Sequence, residues 1–257
     1  MAVIIVLTLH WKLAMKPMLK RVIKKLPQPA QDVSKRALRS LTPPYARTRL
    51  TAGVQPLSFA WGADRGQEIA RYYIEELFLQ EFAKDIRGHC LEFLTDNYTS
   101  KFGDKTYITK IDILNLETGN PDTTIRADLT KPNDIPSNQF DCIICTHVLH
   151  VIYDVDKAIA ELHRILRPGG VLLLTVPHVS MCDPDWGELW RFTQEGLRAA
   201  LARAFDEESI TMRAYGNSLT AAGEIRGLAV HEFSSRELHH HDQRFAVEIC
   251  GRAMKKC

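Results

Sequence analysis

Residues 140–177, "FDCIICTHVLHVIYDVDKAIAELHRILRPGGVLLLTVP", constrain the fold of this chain more than any other stretch. The run "FDCIICTHVL" is too continuously apolar for a strand with one wet face. "DVDKAIAELHRIL" opens on acids and carries apolar residues at helical spacing, and "RPGG" supplies the stop. "VLLLTVP" is a second apolar run. Strand, helix and strand in that order form a crossover unit, and strands buried on both faces belong to a parallel sheet covered by helices on each side.

The same alternation extends both ways. "DRGQEIARYYIEELFLQEFAKDI" (64–86) reads as a helix, and "HCLEFL", "TYITKIDIL" and "TTIRA" as three short strands before residue 140. "TQEGLRAALARAF" is a further helix with Thr193 as its N-cap. "SITMRAY" and "FAVEICGRAM" close the chain as two more strands. The sum is an α/β, Rossmann-like doubly wound sheet. Ligands of such sheets lie beyond the carboxyl ends of the strands, where the strand order reverses.

Charge is unevenly distributed. Residues 1–50 hold eleven Lys or Arg and one acid, whereas the rest holds 22 basic and 30 acidic residues. The expected domains are a basic amphipathic arm (1–26), a proline-bearing linker (27–60) and a folded body (61–257). The arm suits an anionic membrane surface as well as it suits plain solvation. Its apolar opening, Ala2 to Leu9, is too short to span a bilayer. Six cysteines lack metal spacing, and Cys142 and Cys145 face opposite sides of one strand. No metal is expected. The body reads as cytoplasmic, with the arm allowing contact with the inner membrane face.

Residues 140–177 resemble the central block of class I S-adenosylmethionine-dependent methyltransferases of the type-11 kind. "DRGQEIARYYIEELF" upstream, with "DWGELWRFTQEGLRAAL", "AYGNSL" and "FAVEICGRAMK" downstream, resembles a bacterial subgroup linked to glycan assembly. The resemblance implies seven strands with the last antiparallel, and S-adenosylmethionine as cofactor. It places Glu92 at the acid ending the first strand, followed by Phe93 and by Leu94 where the subgroup has glycine. A left-handed Leu94 would cost on the order of 1–2 kcal/mol. Tyr98 and Thr99 would offer hydroxyls in place of bare backbone. Asp112, or alternatively Glu117, matches the acid for the ribose, and Asp128 with Leu129 the adenine side. Thr146 would line the cofactor.

On the acceptor side, His147, His150 and His178 are candidate bases for O-methyl transfer, each with a structural reading beside it. Asp185, Trp186, Trp190 and Arg191 would suit a sugar ring or an anionic group of a small-molecule or glycan acceptor, or else form a packed lid. "HHH" at 239–241 reads as a polar loop. A methyltransferase of a saccharide or lipid-linked glycan leads. The alternative is a cofactor-free pseudo-methyltransferase serving a glycan-assembly complex. Nucleic acid is not expected, because the body is acidic and the sequence has no "DPPY" or "NPPY".

Overall fold

The computed structural model describes Pro27 and residues 53–116 and 119–256. The chain divides after Gly53 into two units, and the second, Val54–Cys257, carries the sheet. The expected arm (1–26) and residues 28–52 of the expected linker lie outside the described residues. Within residues 53–60 of the expected linker, Leu57 and Ser58 are held to the folded body. Leu57 N–H donates to the Arg226 carbonyl at 2.7 Å, and Ser58 is buried.

Seven strands form one sheet in the order β3-β2-β1-β4-β5-β7-β6. They are β1 (Gly88–Phe93), β2 (Ile108–Asn115), β3 (Ile125–Arg126), β4 (Phe140–Thr146), β5 (Leu166–Pro177), β6 (Ile210–Tyr215) and β7 (Glu248–Met254). β7 runs antiparallel to both β5 and β6, and the pairs among β1 to β5 are parallel. The order reverses between β1 and β4, so a crevice opens at their carboxyl ends. β5 starts earlier than "VLLLTVP" suggests, because Leu166 already pairs with Phe140. "RPGG" is therefore an irregular strand entry, with Gly169 at φ 78°.

β4 and β5 form the centre of the core, with Ile143, Cys145, Leu172 and Leu174 fully buried against one side. Cys142 is equally buried but absent from that cluster, as expected of the opposite face. Helices α1 (Ile69–Tyr72) and α2 (Leu79–Glu81) are joined by a π-helical turn, Tyr73–Phe78. The single helix read over 64–86 is thus real in its middle but changes hydrogen-bond spacing there. Such widened turns often occur at functional sites. Buried Glu75, within the turn, pairs with Arg71 at 3.0 Å and with Lys101 at 2.7 Å.

The other helices are α3 (Asn97–Phe102), α4 (Val155–Ile165), α5 (Gln194–Leu201), α6 (Ser218–Arg226) and α7 (Ser235–His239). Asp154 caps α4 through the Lys157 amide. Thr193 caps α5 through the Gly196 amide at 3.0 Å, as the sequence suggests. Asn217 and Thr220 form a reciprocal capping box on α6, which satisfies amides otherwise left bare.

Gly88 opens β1 at φ 70°, and a Cβ there would overlap the Asp141 carboxylate, which accepts from the His89 amide at 2.7 Å. Gly88→Ala is expected to cost about 1–3 kcal/mol, measured by urea denaturation. A loss below 0.5 kcal/mol, taken as roughly the scatter of surface substitutions, would contradict this account.

Candidate active site

The site begins where β1 ends. Glu92 is buried, and its two carboxylate oxygens accept the backbone amides of Tyr98 at 3.0 Å and Thr99 at 2.8 Å. A strand-end side chain thereby satisfies the bare amides of α3. Burial raises the Glu92 pKa, and the Thr99 and Tyr98 amides pull it back. Between the acid and the helix, Leu94 is left-handed at φ 67°. Its amide donates to the Leu114 carbonyl at 3.2 Å, and the Asn120 amide group donates to its carbonyl. The side chain is 49 % exposed, so the leucine holds a conformation suited to glycine without burying itself in exchange.

Above this turn lies a cavity of about 370 Å³. Leu94 and Tyr98 line it from the β1 side, Thr146, His147 and His150 from the end of β4, and Pro177 from the end of β5. Trp61, Glu68, Arg71 and Ile74 contribute a second wall, and Ser180, Asp183, Trp186, Glu188 and Glu224 the remainder. Trp61 is fastened across the opening by an indole N–H to Ser180 Oγ bond of 3.0 Å. The volume suits a small organic ligand, for which hollows of about 300–1,000 Å³ are usual.

The lining is acidic. Glu224 is 1 % exposed; burial first, then the Glu248 charge, push its pKa up to about 8, against the pull of the Ala70 amide. Glu248, the first residue of β7, is fully buried; one oxygen meets His147 Nε2 at 2.9 Å, and the other has no hydrogen-bond partner. Burial works to lower the His147 pKa, yet the charge and hydrogen bond of Glu248 raise it overall. Burial, then neighbouring His147, bring His150 down to about 4. Its Nε2 lies 3.7 Å from Glu188.

The cavity therefore brings together Leu94, Tyr98, Thr146, His147, His150 and Trp186 from the sequence-based candidates. Glu92 and Thr99 act one layer behind, and Phe93 packs on the core. Others lie elsewhere. Asp112 stands in mid-β2, held by His89 at 2.6 Å and Lys110 at 2.8 Å. It borders a separate hollow of about 540 Å³ with Asp128, whose carboxylate is taken by Thr130 and Lys131. Leu129 is core, and Glu117 lies outside the described residues. His178 does not line the cavity; its Nδ1 bonds the Phe192 carbonyl at 2.7 Å. Trp190 donates to the Ile152 carbonyl and stacks at a tilt against Tyr153, Arg191 pairs with Glu188, and Asp185 is exposed. Among the described residues, no group of three or more His, Cys, Asp or Glu could hold a metal ion. His239 bonds Ser235, and His241 accepts the Gly216 amide.

Sequence reasoning missed Trp61, Glu68, Arg71, Glu188, Glu224 and Glu248. Glu224 and Glu248 were visible as acids within an apolar helix face and an apolar strand, which is the one signal that could have flagged them.

Residues 90–174, which span most of β1 to β5, match the family described as a methyltransferase domain. Curated relatives match over short segments. A probable polyketide synthase from Dictyostelium discoideum is 31% identical over 80 residues, 29% of this chain and 3% of that protein. The ubiquinone/menaquinone biosynthesis C-methyltransferase UbiE of Pasteurella multocida is 41% identical over 49 residues, 19% of this chain and 18% of that protein. The chain thus spans less than a fifth of either relative. Among solved structures, the N-methyltransferase NodS from Bradyrhizobium japonicum, in complex with S-adenosyl-L-homocysteine, is 14% identical, with a TM-score of 0.48, covering 83% of this chain and 98% of that one.

The geometry has two testable outcomes. Leu94→Gly should leave stability unchanged or raise it by up to about 1 kcal/mol, because relief of the left-handed strain offsets glycine's backbone entropy. A loss above 1 kcal/mol in denaturant melts, roughly the cost of glycine in a regular element, would refute this. For Glu224, whose folded value lies above the unfolded one, the protonated form is favoured by folding. Its stabilising contribution is full below the ordinary carboxyl value and declines as pH rises toward about 8. The slope approaches about 1.4 kcal/mol per pH unit. Glu224→Gln should flatten the stability profile between pH 5 and 8, a window set roughly by the unfolded and folded values. An unaltered profile would count against the assignment.

Proposed function

We propose that this protein is an S-adenosylmethionine-dependent methyltransferase. The carrying observation is the β1 turn. Glu92 organises the α3 amides, and Leu94 takes a left-handed conformation beneath a cavity at the switch point of the sheet. The family match over residues 90–174 supports the same reading.

The donor set suits the cofactor's charged end. Glu68, Asp183 and Glu188 give the cavity the sign that a sulfonium requires, and Trp61 and Trp186 offer ring faces to a cation. Arg71, half-exposed at the mouth and paired with Glu75, is placed for a carboxylate, and Tyr98 and the buried Thr146 hydroxyl supply polar contacts. When bound, the cofactor supplies a methyl group already activated for in-line displacement. The chain's own residues have then to orient the acceptor, exclude water and receive a proton. Asp112 and Asp128 are not included, because both are bound to neighbours away from this cavity.

The acceptor we favour is a hydroxyl of a saccharide or lipid-linked glycan. Trp61 and Trp186 give flat apolar faces beside carboxylates, a combination suited to sugar rings. A basic arm at residues 1–26 would serve a lipid-linked acceptor at an anionic inner membrane surface.

Calorimetric titration with S-adenosylmethionine and S-adenosylhomocysteine tests the cofactor, and transfer of labelled methyl to a panel of methyl hexosides tests the acceptor. Binding of both nucleosides is expected, and Arg71→Ala should weaken it by about tenfold, or 1.4 kcal/mol. No heat with either ligand would favour the cofactor-free scaffold reading instead.

A further inference from the structure

The residue after β4 is the one through which buried Glu248 reaches the cavity. His147 adopts a left-handed backbone, φ 52°, while its amide continues the sheet by donating to the Thr175 carbonyl at 3.0 Å. A non-glycine residue held there is strained, and surrounding structure has to over-determine it. The holding group is Glu248, fully buried on β7, with Oε1 2.9 Å from His147 Nε2. The ring is 36 % exposed and lines the cavity.

We infer that His147 and Glu248 form a base-and-anchor pair: Glu248 accepts the Nε2 proton and fixes the tautomer, leaving Nδ1 to take the acceptor's proton. This inference rests on the methyltransferase reading and names two residues for a step that reading leaves open. Glu248 is a positioning residue, since its carboxylate bonds the imidazole and does not line the cavity. The logic is that of a nucleophile's base oriented by a buried carboxylate, applied to an acceptor hydroxyl.

The step balances. The acceptor's O–H bond breaks and its proton passes to Nδ1. The freed oxygen pair forms the new bond to the methyl carbon, and the pair of the broken carbon–sulfur bond stays on the sulfur of the sulfonium donor. The imidazolium so formed faces Glu248 from β7, Glu224 from α6, Glu188 from the segment after β5 and Glu68 before α1, with His150 at 5.6 Å between ring centroids. Glu248, Glu188 and Glu68 favour the charged ring, and Glu224 does so once it has lost its own proton; burial and His150 oppose it. His150 stays neutral at pH 7, being held near 4, so it competes little for the proton.

Long-range proton–nitrogen NMR on the full chain with labelled histidine tests the pair without turnover, and His147→Gln assigns the signals. In the wild type, the neutral ring should carry its proton on Nε2 and titrate above an ordinary histidine. Glu248→Gln should lower that midpoint by about one pH unit or more, the tenfold effect expected of losing one adjacent charge. Wild-type protonation on Nδ1, or a midpoint unmoved in folded Glu248→Gln, overturns the pair. If Glu248→Gln does not fold, Glu248→Asp and the wild-type tautomer decide. In transfer assays with methyl hexosides, His147→Gln should lower kcat by about 100-fold or more, with S-adenosylhomocysteine affinity kept within about twofold, well inside one tenfold step. Undiminished transfer by His147→Gln overturns the base while the methyltransferase reading stands. A wild-type chain that binds no S-adenosylhomocysteine overturns that reading and the role together.

Discussion

The contact on which the site depends is that of Glu92 with the amides of Tyr98 and Thr99. β1 is buried between β2 and β4, so its final acid cannot reach water. It takes instead the uncapped start of α3. By accepting two amides at once, the carboxylate fixes where the chain turns and how closely α3 approaches the sheet edge. Leu94 is caught between these two fixed points and must take the remaining conformation. That conformation is left-handed, and the rest of the structure bears the cost.

The opposite wall has a different problem. Glu224, Glu248 and Glu68 converge with two histidines in a region largely closed to solvent. Carboxyl groups this close do not all remain ionised. Glu224 keeps its proton to about pH 8, and Glu248 is compensated by an imidazole. Such an arrangement is costly for a fold to maintain and is more easily understood as serving charge that arrives with ligands than as packing.

Much of this was legible in the sequence because it depends on periodicity. The apolar runs of β4 and β5 report burial on both faces, and the acids and threonine opening α4 and α5 report caps. The left-handed backbone at Leu94 was legible only through the family resemblance, which puts a glycine at that position. Convergence from distant segments was not readable. Glu224 and Glu248 come together with His147 only after α6 and β7 return to the sheet, and no local pattern encodes that meeting. Asp112 stands apart from the cavity for a related reason. An acid near a strand's end in sequence lay in mid-strand once the register with Leu91 was set, and it was taken up by neighbours.

The segment before α1 also has a practical meaning. Trp61 closes one side of the cavity through Ser180, Arg65 meets buried Glu232, and Glu68 bridges to Ala229. None of these residues belongs to the sheet, and Trp61, Arg65 and Glu68 all lie ahead of the stretch that matches the methyltransferase domain. The stretch that matches therefore lacks a wall of its own binding chamber. Substitutions in this segment would reshape what the chamber admits without altering a strand of the sheet.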